Sequence, residues 1–211
     1  FGIEELAEAI RLAHILDVSV YVTVNILIGD SELKALEAYL KDLERIGVDA
    51  IIVQDLAVAK LAQRVAPKLH LHGSTQMTAA TLDAVHFYES LGFTRVVLAR
   101  ELSLPEIEHI CKNCTAEIEV FVHGALCVCY SGQCLMSSFI GGRSGNRGAC
   151  AQPCRLPYEL LDSSGTSLLP KHEAYLLSPK DLNYSEHMNE LVAAGVTSFK
   201  VEGRMKKVSY C

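Results

Sequence analysis

Three segments of the chain repeat one pattern of apolar and polar positions. Each has an amphipathic helical stretch, a glycine, a short apolar run and then polar residues. Gly47, Gly92 and Gly195 fit the position just after a helix, where a positive φ costs least in glycine. The runs that follow are continuously apolar or β-branched, which predicts buried parallel strands. These strands cover residues 50–53, 96–99 and 198–201.

The rest of the chain continues this alternation, with further apolar runs that predict strands and helical spacing between them. Strands are predicted near residues 18–28, 69–72 and 118–122, and helices over residues 30–46, 56–66, 78–91 and 103–111. Ser103 and Glu106 form a capping box, and Pro105 fits the first turn of the helix that they open. Strands that alternate with helices of this length are typical of βαβ units and a parallel sheet.

Polar residues recur just after the predicted strands. Because (β/α)₈ enzymes build their functional face from the C-terminal strand ends, this recurrence favours a TIM-barrel-like α/β fold. An open α/β sheet, in which these are ordinary loop residues, stays the alternative. About six strands are fewer than a barrel has, so we expect further strands before residue 1 and a region beyond residue 211. The polar residues are Asn25, Gln54, Asp55, Thr75, Gln76, Arg100, Glu101, His123, Glu202 and Arg204.

Composition and charge limit the functions to be considered. No apolar run reaches the roughly 18 residues that a membrane helix needs, and the N-terminus lacks signal-peptide features, so we expect a cytoplasmic protein. The net charge of −6 argues against indiscriminate nucleic-acid binding. The charge is uneven, with −8 over residues 1–140 and +2 over residues 141–211. The positive C-terminal part is compatible with specific binding of an anionic substrate.

A glycine- and cysteine-rich stretch interrupts the helical pattern. We call residues 124–155 the cysteine segment; residues 1–123 and 156–211 are expected to form the barrel around it. Cys127, Cys134, Cys150 and Cys154 are separated by six, fifteen and three residues, and four thiolates on one metal centre would hold such a stretch in place. An iron–sulfur cluster is favoured over zinc, and small buried thiols without metal are the alternative. Cys129 is a spare thiol, a substitute ligand or a reactive residue.

The same residues resemble a known family. The stretch EVFVHGALCVCYSGQCLMSS, with GACAQPCR, LLSPKDL and FKVEGRMK downstream, is similar to the signature of the collagenase-like peptidase family of unknown catalytic type, U32. NILIGD, GSTQM and VVLARE extend the resemblance over essentially the whole chain. It implies a barrel-like fold. The family name records protease activity of some members, whereas other bacterial members are RNA hydroxylases that act on a ribosomal-RNA cytidine or a tRNA wobble uridine.

The resemblance also implies cofactors. Prephenate dependence and a 4Fe-4S cluster come with the hydroxylases, and paired ubiquinone-synthesis members carry such clusters as well. The ligands would then be Cys127, Cys134, Cys150 and Cys154, and the wording GGRSGNRGACAQPCR is most similar to the ribosomal-RNA type. Asn183 stands where some relatives carry another cysteine, which leaves the fourth ligand open. Zinc, an empty site or disulfides in protein handled in air would be compatible with a lost cluster.

Two enzyme classes compete for Cys127. As a peptidase nucleophile with His123 as base it would cease to be a cluster ligand, and no motif of a known protease class is present. Hydroxylation of a pyrimidine at carbon 5 is oxidative and suits a redox centre. A non-catalytic, cluster-bearing partner is the third possibility.

For an RNA hydroxylase we expect a substrate site at the barrel mouth. The candidate catalytic residues are Glu202, Arg204 and His123, and the candidate substrate-binding residues are Arg143, Arg147, Arg155, Gln76 and Lys200. Phe139 or Tyr130 could stack on a flipped base. For each charged residue, a solvated surface position is the alternative.

Overall fold

The computed structural model describes residues 2–169, 174–203, 207 and 210. Within these residues the chain forms seven helices and seven strands. The helices are α1 (Ile3–Ile15), α2 (Leu33–Arg45), α3 (Leu56–Val65), α4 (Leu82–Ser90), α5 (Leu104–Asn113), α6 (Met136–Gly141) and α7 (Met188–Ala194). The strands are β1 (Tyr21–Val24), β2 (Ala50–Val53), β3 (His70–Gly73), β4 (Phe93–Val97), β5 (Glu117–Gly124), β6 (Leu182–Asn183) and β7 (Ser198–Val201).

The strands form one sheet that is parallel except at a single short strand. Its order is β1-β2-β3-β4-β5, with β7 pairing in parallel with β5. The two residues of β6 pair antiparallel with His123 and Gly124 at the end of β5. Helices connect the successive parallel strands, so the chain builds a half-barrel of the TIM type, as the alternating pattern predicts. No helix among the described residues is long and apolar enough to cross a membrane.

The two faces of the sheet differ in chemistry. Side chains such as Ile51, Val53 and Val96 are fully buried beneath the helices and form the apolar core. Because side chains alternate along a strand, the residues between them point to the other, concave face. That face carries a row of polar side chains that are aligned by the strand register. They are Tyr21, His72, Arg95, Glu117, Glu119, Ser198 and Lys200.

Several local predictions are confirmed. β2 and β7 have the predicted bounds. The three glycines after helices have positive φ, at 87°, 85° and 99° for Gly47, Gly92 and Gly195. The Ser103 backbone N–H and hydroxyl donate to the Glu106 carboxylate at 2.7 and 2.6 Å, which completes the capping box that opens α5.

Three elements were predicted with wrong bounds. β4 covers Phe93–Val97 and not residues 96–99, because its pairing with β3 begins at Phe93, opposite Leu71. The bounds of the other two depend on local conformation and on contacts far along the chain. β1 is four residues long, because the chain beyond it bonds elsewhere: the Leu27 N–H donates to the Asn146 carbonyl at 3.0 Å. α4 begins at Leu82 and not at residue 78, because Thr78 adopts a left-handed conformation with φ of 56°. The N-cap of α4 is Thr81, whose hydroxyl accepts from the Ala84 N–H at 3.2 Å.

Candidate metal centre at the barrel mouth

The cysteine segment leaves the sheet at Gly124, where the end of β5 meets the end of β7. Gly124 has φ of +124°, and a Cβ there would lie 2.7 Å from the Glu202 carbonyl oxygen. The Glu202 N–H in turn donates to the His123 carbonyl at 2.9 Å. Only glycine allows this close approach, so the segment starts directly against Glu202, at the C-terminal ends of the strands that we call the barrel mouth.

Ser131 fastens the loop between Cys127 and Cys134 to the barrel mouth. Its backbone N–H and hydroxyl donate to the two Glu101 carboxylate oxygens at 3.0 and 2.7 Å. Its carbonyl accepts from the Thr78 hydroxyl at 3.0 Å. The Ser131 side chain is buried and each of its polar groups is bonded, so the loop is held at the ends of β3 and β4. The sequence gives no signal that singles out this serine.

Gly132 allows the same loop to pack closely against Gln76. It has φ of +80°, and a Cβ there would lie 2.9 Å from the Gln76 Cα. The Gln133 side-chain amide donates to the Thr78 hydroxyl at 2.9 Å and closes the contact. Gln76, a predicted substrate-binding residue, therefore lies under the cysteine segment. Its buried Oε1 has no partner among the described residues, and the same is true of Gln54 Oε1. Such orphaned atoms are unusual and fit a polar ligand or water.

The second half of the cysteine segment folds back toward the first. The Ala151 N–H donates to the buried Ser137 hydroxyl at 2.9 Å. Gly145 lies between the two halves, since a Cβ there would be 3.6 Å from Cys150 Cβ and 3.9 Å from the Cys134 carbonyl oxygen. The fold thus brings Cys134 and Cys150 together across the fifteen residues that separate them in sequence.

Five thiols influence one another in this segment. Hydrogen bonding to Cys134, followed by burial and the neighbouring thiols Cys127 and Cys154, raises the pKa of Cys129. Burial raises the pKa of Cys154; Arg155 opposes this, and Cys127, Cys150 and Cys134 add to it. Cys154 therefore lies within electrostatic range of the other three predicted ligands, and Cys129 lies within range of Cys127, Cys134 and Cys154. None of the five forms a disulfide.

The cysteine segment offers donors of one kind, the thiols of Cys127, Cys129, Cys134, Cys150 and Cys154. No group of three His, Cys, Asp or Glu side chains within the described residues converges tightly enough for one metal ion. A tetrahedral zinc site, with Zn–S bonds of about 2.3 Å, demands such convergence. An iron–sulfur cluster binds each thiolate to a different iron and so spans its ligands more widely. Its need for an all-sulfur shell matches the five neighbouring thiols.

Arg147 and Arg155 are bonded within the chain. Arg147 donates to both Glu32 carboxylate oxygens at 2.7 Å and holds the pKa of that carboxyl at about 2. Arg155 donates to the Ser178 hydroxyl at 2.8 Å and to the Pro179 and Leu126 carbonyls at 2.6 and 2.7 Å. Both arginines thus brace the cysteine segment against the barrel and the loop before β6.

Arg143 is more open to solvent. Its Nε donates to the Ala149 carbonyl at 2.9 Å and its side chain is exposed. It lies beside α6, whose Phe139 and Ile140 are 84% and 64% exposed. A helix normally buries its apolar side chains, so these two exposed residues mark α6 as a candidate contact surface.

Arg100 joins the end of β4 to the other parts of the site. Its Nη1 donates to the Ala125 carbonyl at 2.7 Å, and its Nη2 pairs with Glu202 Oε2 at 3.1 Å. Its guanidinium carbon lies 3.9 Å from the centroid of the Phe121 ring. The sequence places Arg100 at a strand end but predicts no role for it.

Lys200 and His123 contact residues other than the predicted substrate or nucleophile. Lys200 lies on the concave face, where Nζ pairs with Glu119 Oε1 at 2.8 Å. The His123 ring packs against the Tyr210 ring, with 4.7 Å between the two ring centroids. No hydrogen bond joins His123 to Cys127 among the described residues. Arg204 lies outside the described residues.

The concave face holds two groups with shifted pKa values. Burial, followed by Arg95, lowers the pKa of His72 to about 4. Burial opposes ionisation of Glu119, but Lys200, Ser198 and Arg95 together hold the pKa of this carboxyl below its ordinary value. Glu119 is therefore charged and paired, and His72 is neutral, inside the half-barrel.

Comparison with known proteins places these features in context. The model of peptidase family U32 matches residues 1–211. The chain is 44% identical to a 23S rRNA 5-hydroxycytidine synthase of Escherichia coli, over 99% of this chain and 31% of that protein. It is 40% identical to a tRNA hydroxylation protein of Bacillus subtilis, over 100% of this chain and 51% of that protein. The chain thus spans about half or less of these relatives.

A solved structure supports the fold. The U32 peptidase Mk0906 superposes with a TM-score of 0.50 over 58% of this chain and 53% of that chain, at 17% identity. At this identity the likeness bears on the fold alone, which agrees with the TIM-barrel-like prediction.

Proposed function

Because this chain belongs to peptidase family U32, we propose that it forms the cluster-binding part of an enzyme that hydroxylates a pyrimidine base in RNA. The observation that carries the proposal is the gathering of five cysteines in the cysteine segment, which starts at Gly124 directly against Glu202 at the barrel mouth. The 44% identity to a 23S rRNA 5-hydroxycytidine synthase supports cytidine in ribosomal RNA as the target. The 40% identity to a tRNA hydroxylation protein makes a tRNA uridine the second candidate.

The cofactor in this proposal is a 4Fe-4S cluster on Cys127, Cys134, Cys150 and Cys154. Bound there, it supplies one-electron redox chemistry. Cys129 is a fifth thiol near Cys134, and that neighbour raises the pKa of Cys129. The chain's own contribution is to hold the ligands at the strand ends, through Ser131 on one side and Ser137 on the other.

The reaction needs a two-electron oxidant that supplies the oxygen atom, dioxygen or a related oxygen donor, and we separate this oxidant from the co-substrate. Replacing C–H by C–OH at carbon 5 adds one oxygen atom and removes two electrons from the base. We propose prephenate as the co-substrate on the family resemblance. Gln54 and Gln76, whose buried amide oxygens lack partners among the described residues, offer acceptors for a polar ligand at the strand ends.

The RNA-binding surface is proposed to be the outer side of the cysteine segment. Residues 124–158 contain three arginines and no acidic residue, in a chain of net charge −6. Arg155 bonds only to neutral oxygens, so its positive charge is uncompensated by these contacts. Phe139 and Tyr130 are 84% and 51% exposed, and exposed aromatic rings stack with unpaired bases.

Nucleoside mass spectrometry tests the proposed function. RNA from cells that lack the protein is incubated with prephenate and with full-length protein that was purified without oxygen, dioxygen is then admitted as the oxidant, and the RNA is digested to nucleosides. We expect 5-hydroxycytidine to appear in ribosomal RNA, and to be absent with a Cys127→Ala/Cys134→Ala variant. A Cys111→Ala/Cys114→Ala variant is the matched control, because it removes two cysteines outside the cysteine segment.

The outcomes separate the alternatives. Hydroxyuridine in tRNA would keep the enzyme class and change the RNA. No modified nucleoside, together with peptide cleavage that stops when Cys127 alone is replaced, would overturn the hydroxylase and establish the peptidase. Modification that requires a second protein would assign this chain a partner role.

A further inference from the structure

Arg100 contacts both halves of the proposed site. We propose that it is a positioning residue, which fixes the Glu202 carboxylate and the entry to the cysteine segment in one arrangement. The inference rests on the proposed function, because that function gives Glu202 its place beside the substrate. Neither residue lies near Arg100 in sequence: Glu202 follows it by 102 residues and Ala125 by 25.

The Arg100 guanidinium is held by a ring that contacts its flat face and by two hydrogen bonds at its edge. Phe121 lies under it, with the guanidinium carbon 3.9 Å from the ring centroid. Within that plane, Nη1 reaches the Ala125 carbonyl and Nη2 reaches the Glu202 carboxylate. A planar group held on its face and at two donors has little freedom left, so the carbonyl and the carboxylate are held at a fixed separation.

The backbone of Arg100 adds a third connection. Its N–H donates to the Ser131 hydroxyl at 3.1 Å, midway between Cys127 and Cys134. The residue therefore touches the cysteine segment before Cys127 and again before Cys134. Its Nε is buried and has no partner among the described residues.

Lysine cannot reproduce these contacts. Its ammonium is a point charge and can pair with Glu202, but it lacks the planar fork that reaches a second acceptor while stacked on an aromatic ring. Arg100→Lys should therefore keep the charge pair and lose the connection to Ala125. Arg100→Gln should lose both.

A double-mutant cycle with Glu202 tests the proposal in full-length protein. Arg100→Gln should lower kcat for RNA hydroxylation about 100-fold, with the Kd for RNA unchanged, and Arg100→Lys should recover part of the loss. In a Glu202→Gln background, Arg100→Gln should lower kcat only slightly further, because the carboxylate that Arg100 positions is already absent. Arg45→Gln, an exposed arginine paired with Asp42, is the control. Losses that multiply, or wild-type kcat in Arg100→Gln, would overturn the proposal.

Amide hydrogen exchange tests the same connection without the reaction. Arg100→Gln and Glu202→Gln should each speed exchange over residues 125–134, whereas Arg45→Gln should not. Protection that stays at the wild-type level in both would refute the positioning role even if RNA hydroxylation is confirmed. Faster exchange in both, with a wild-type protein that hydroxylates no RNA, would retain the connection and refute the proposed function.

Discussion

Ser131 donates both its backbone N–H and its hydroxyl to the carboxylate of Glu101, across 30 residues of sequence. This two-point contact is what joins the cysteine segment to the half-barrel at β4. Hydrogen bonds to a charged carboxylate are stronger than those between neutral groups. The ordering of the proposed cluster ligands therefore depends on a carboxylate that is not itself one of them.

We predict that Ser131→Ala destabilises both the fold and the bound cluster. The substitution removes the buried Ser131 hydroxyl, which donates to Glu101 and accepts from the Arg100 N–H, a cost of about 1–3 kcal/mol in unfolding free energy. Denaturant unfolding measures the first effect, and the rate of bleaching of the visible spectrum by a chelator measures the second. Ser90→Ala, at an exposed serine on α4, is the control. Equal bleaching rates in the two variants would contradict the role of Ser131.

We predict that Gly132→Ala is more harmful than Gly142→Ala, although both glycines have positive φ. At Gly132 the new Cβ would lie 2.9 Å from backbone of Gln76, whereas at Gly142 nothing lies within 4 Å. The strained φ alone costs roughly 1 kcal/mol, so Gly142→Ala should lose about that amount. The additional loss of unfolding free energy in Gly132→Ala measures the contact between the cysteine segment and Gln76, which follows β3. Similar unfolding free energies for the two variants would show that this contact is not formed.

We predict that His72 makes the fold sensitive to acid. Its pKa is about 4 in the fold against 6.5 in the unfolded chain, because burial and Arg95 disfavour the charged ring. A depressed pKa gives stability that is complete above pH 6.5 and is lost as the pH falls toward 4. The shift corresponds to about 3 kcal/mol.

Denaturant unfolding at a series of pH values measures this effect. His72→Gln should flatten the fall in unfolding free energy between pH 6.5 and 4. His70→Gln, an exposed residue two positions earlier on β3, should keep the wild-type fall. A wild-type slope in His72→Gln would assign the acid sensitivity to other groups.

We predict that Phe139 contributes to RNA affinity by stacking. Phe139→Ala should weaken binding of an unpaired RNA segment by about 1–3 kcal/mol, whereas Phe139→Trp should retain it. Fluorescence anisotropy with a labelled hairpin measures the affinity, with a blunt duplex as the comparison. Phe87→Ala removes a 53% exposed ring on α4 and should change nothing. Equal affinity of Phe139→Ala and wild type for the hairpin would exclude α6 as the stacking surface.

The fold was predictable wherever a local pattern decides the structure. Buried parallel strands are continuously apolar, and β2 is buried with the bounds that this pattern predicted. β7 also has the predicted bounds but is only partly buried, because Ser198 and Lys200 lie on the polar concave face. Boundaries set by distant contacts were not predictable. Thr78 looked helical from its neighbours, yet it takes a left-handed conformation and bonds to Ser131, 53 residues away.

The site was predictable in its residue types and less so in its contacts. Four cysteines with unusual spacing in a glycine-rich stretch predict a metal centre, and this stays a prediction. The structure shows that Cys127, Cys134 and Cys150 lie near enough to Cys154 to raise its pKa. A charge on an arginine, by contrast, does not reveal its partner. Arg147 was predicted to bind RNA, and the structure pairs it with Glu32, 115 residues earlier. Ser131 carries no charge, motif or periodicity, so only the folded contacts identify it.

Iron and acid-labile sulfide analysis of full-length protein, purified without oxygen, tests the central claim most directly. We predict about four iron and four sulfide per chain, lost in Cys127→Ala/Cys134→Ala and retained in Cys111→Ala/Cys114→Ala. Protein that contains neither iron nor sulfide before any exposure to air, with the cysteine segment folded, would contradict the cluster and the redox enzyme built on it.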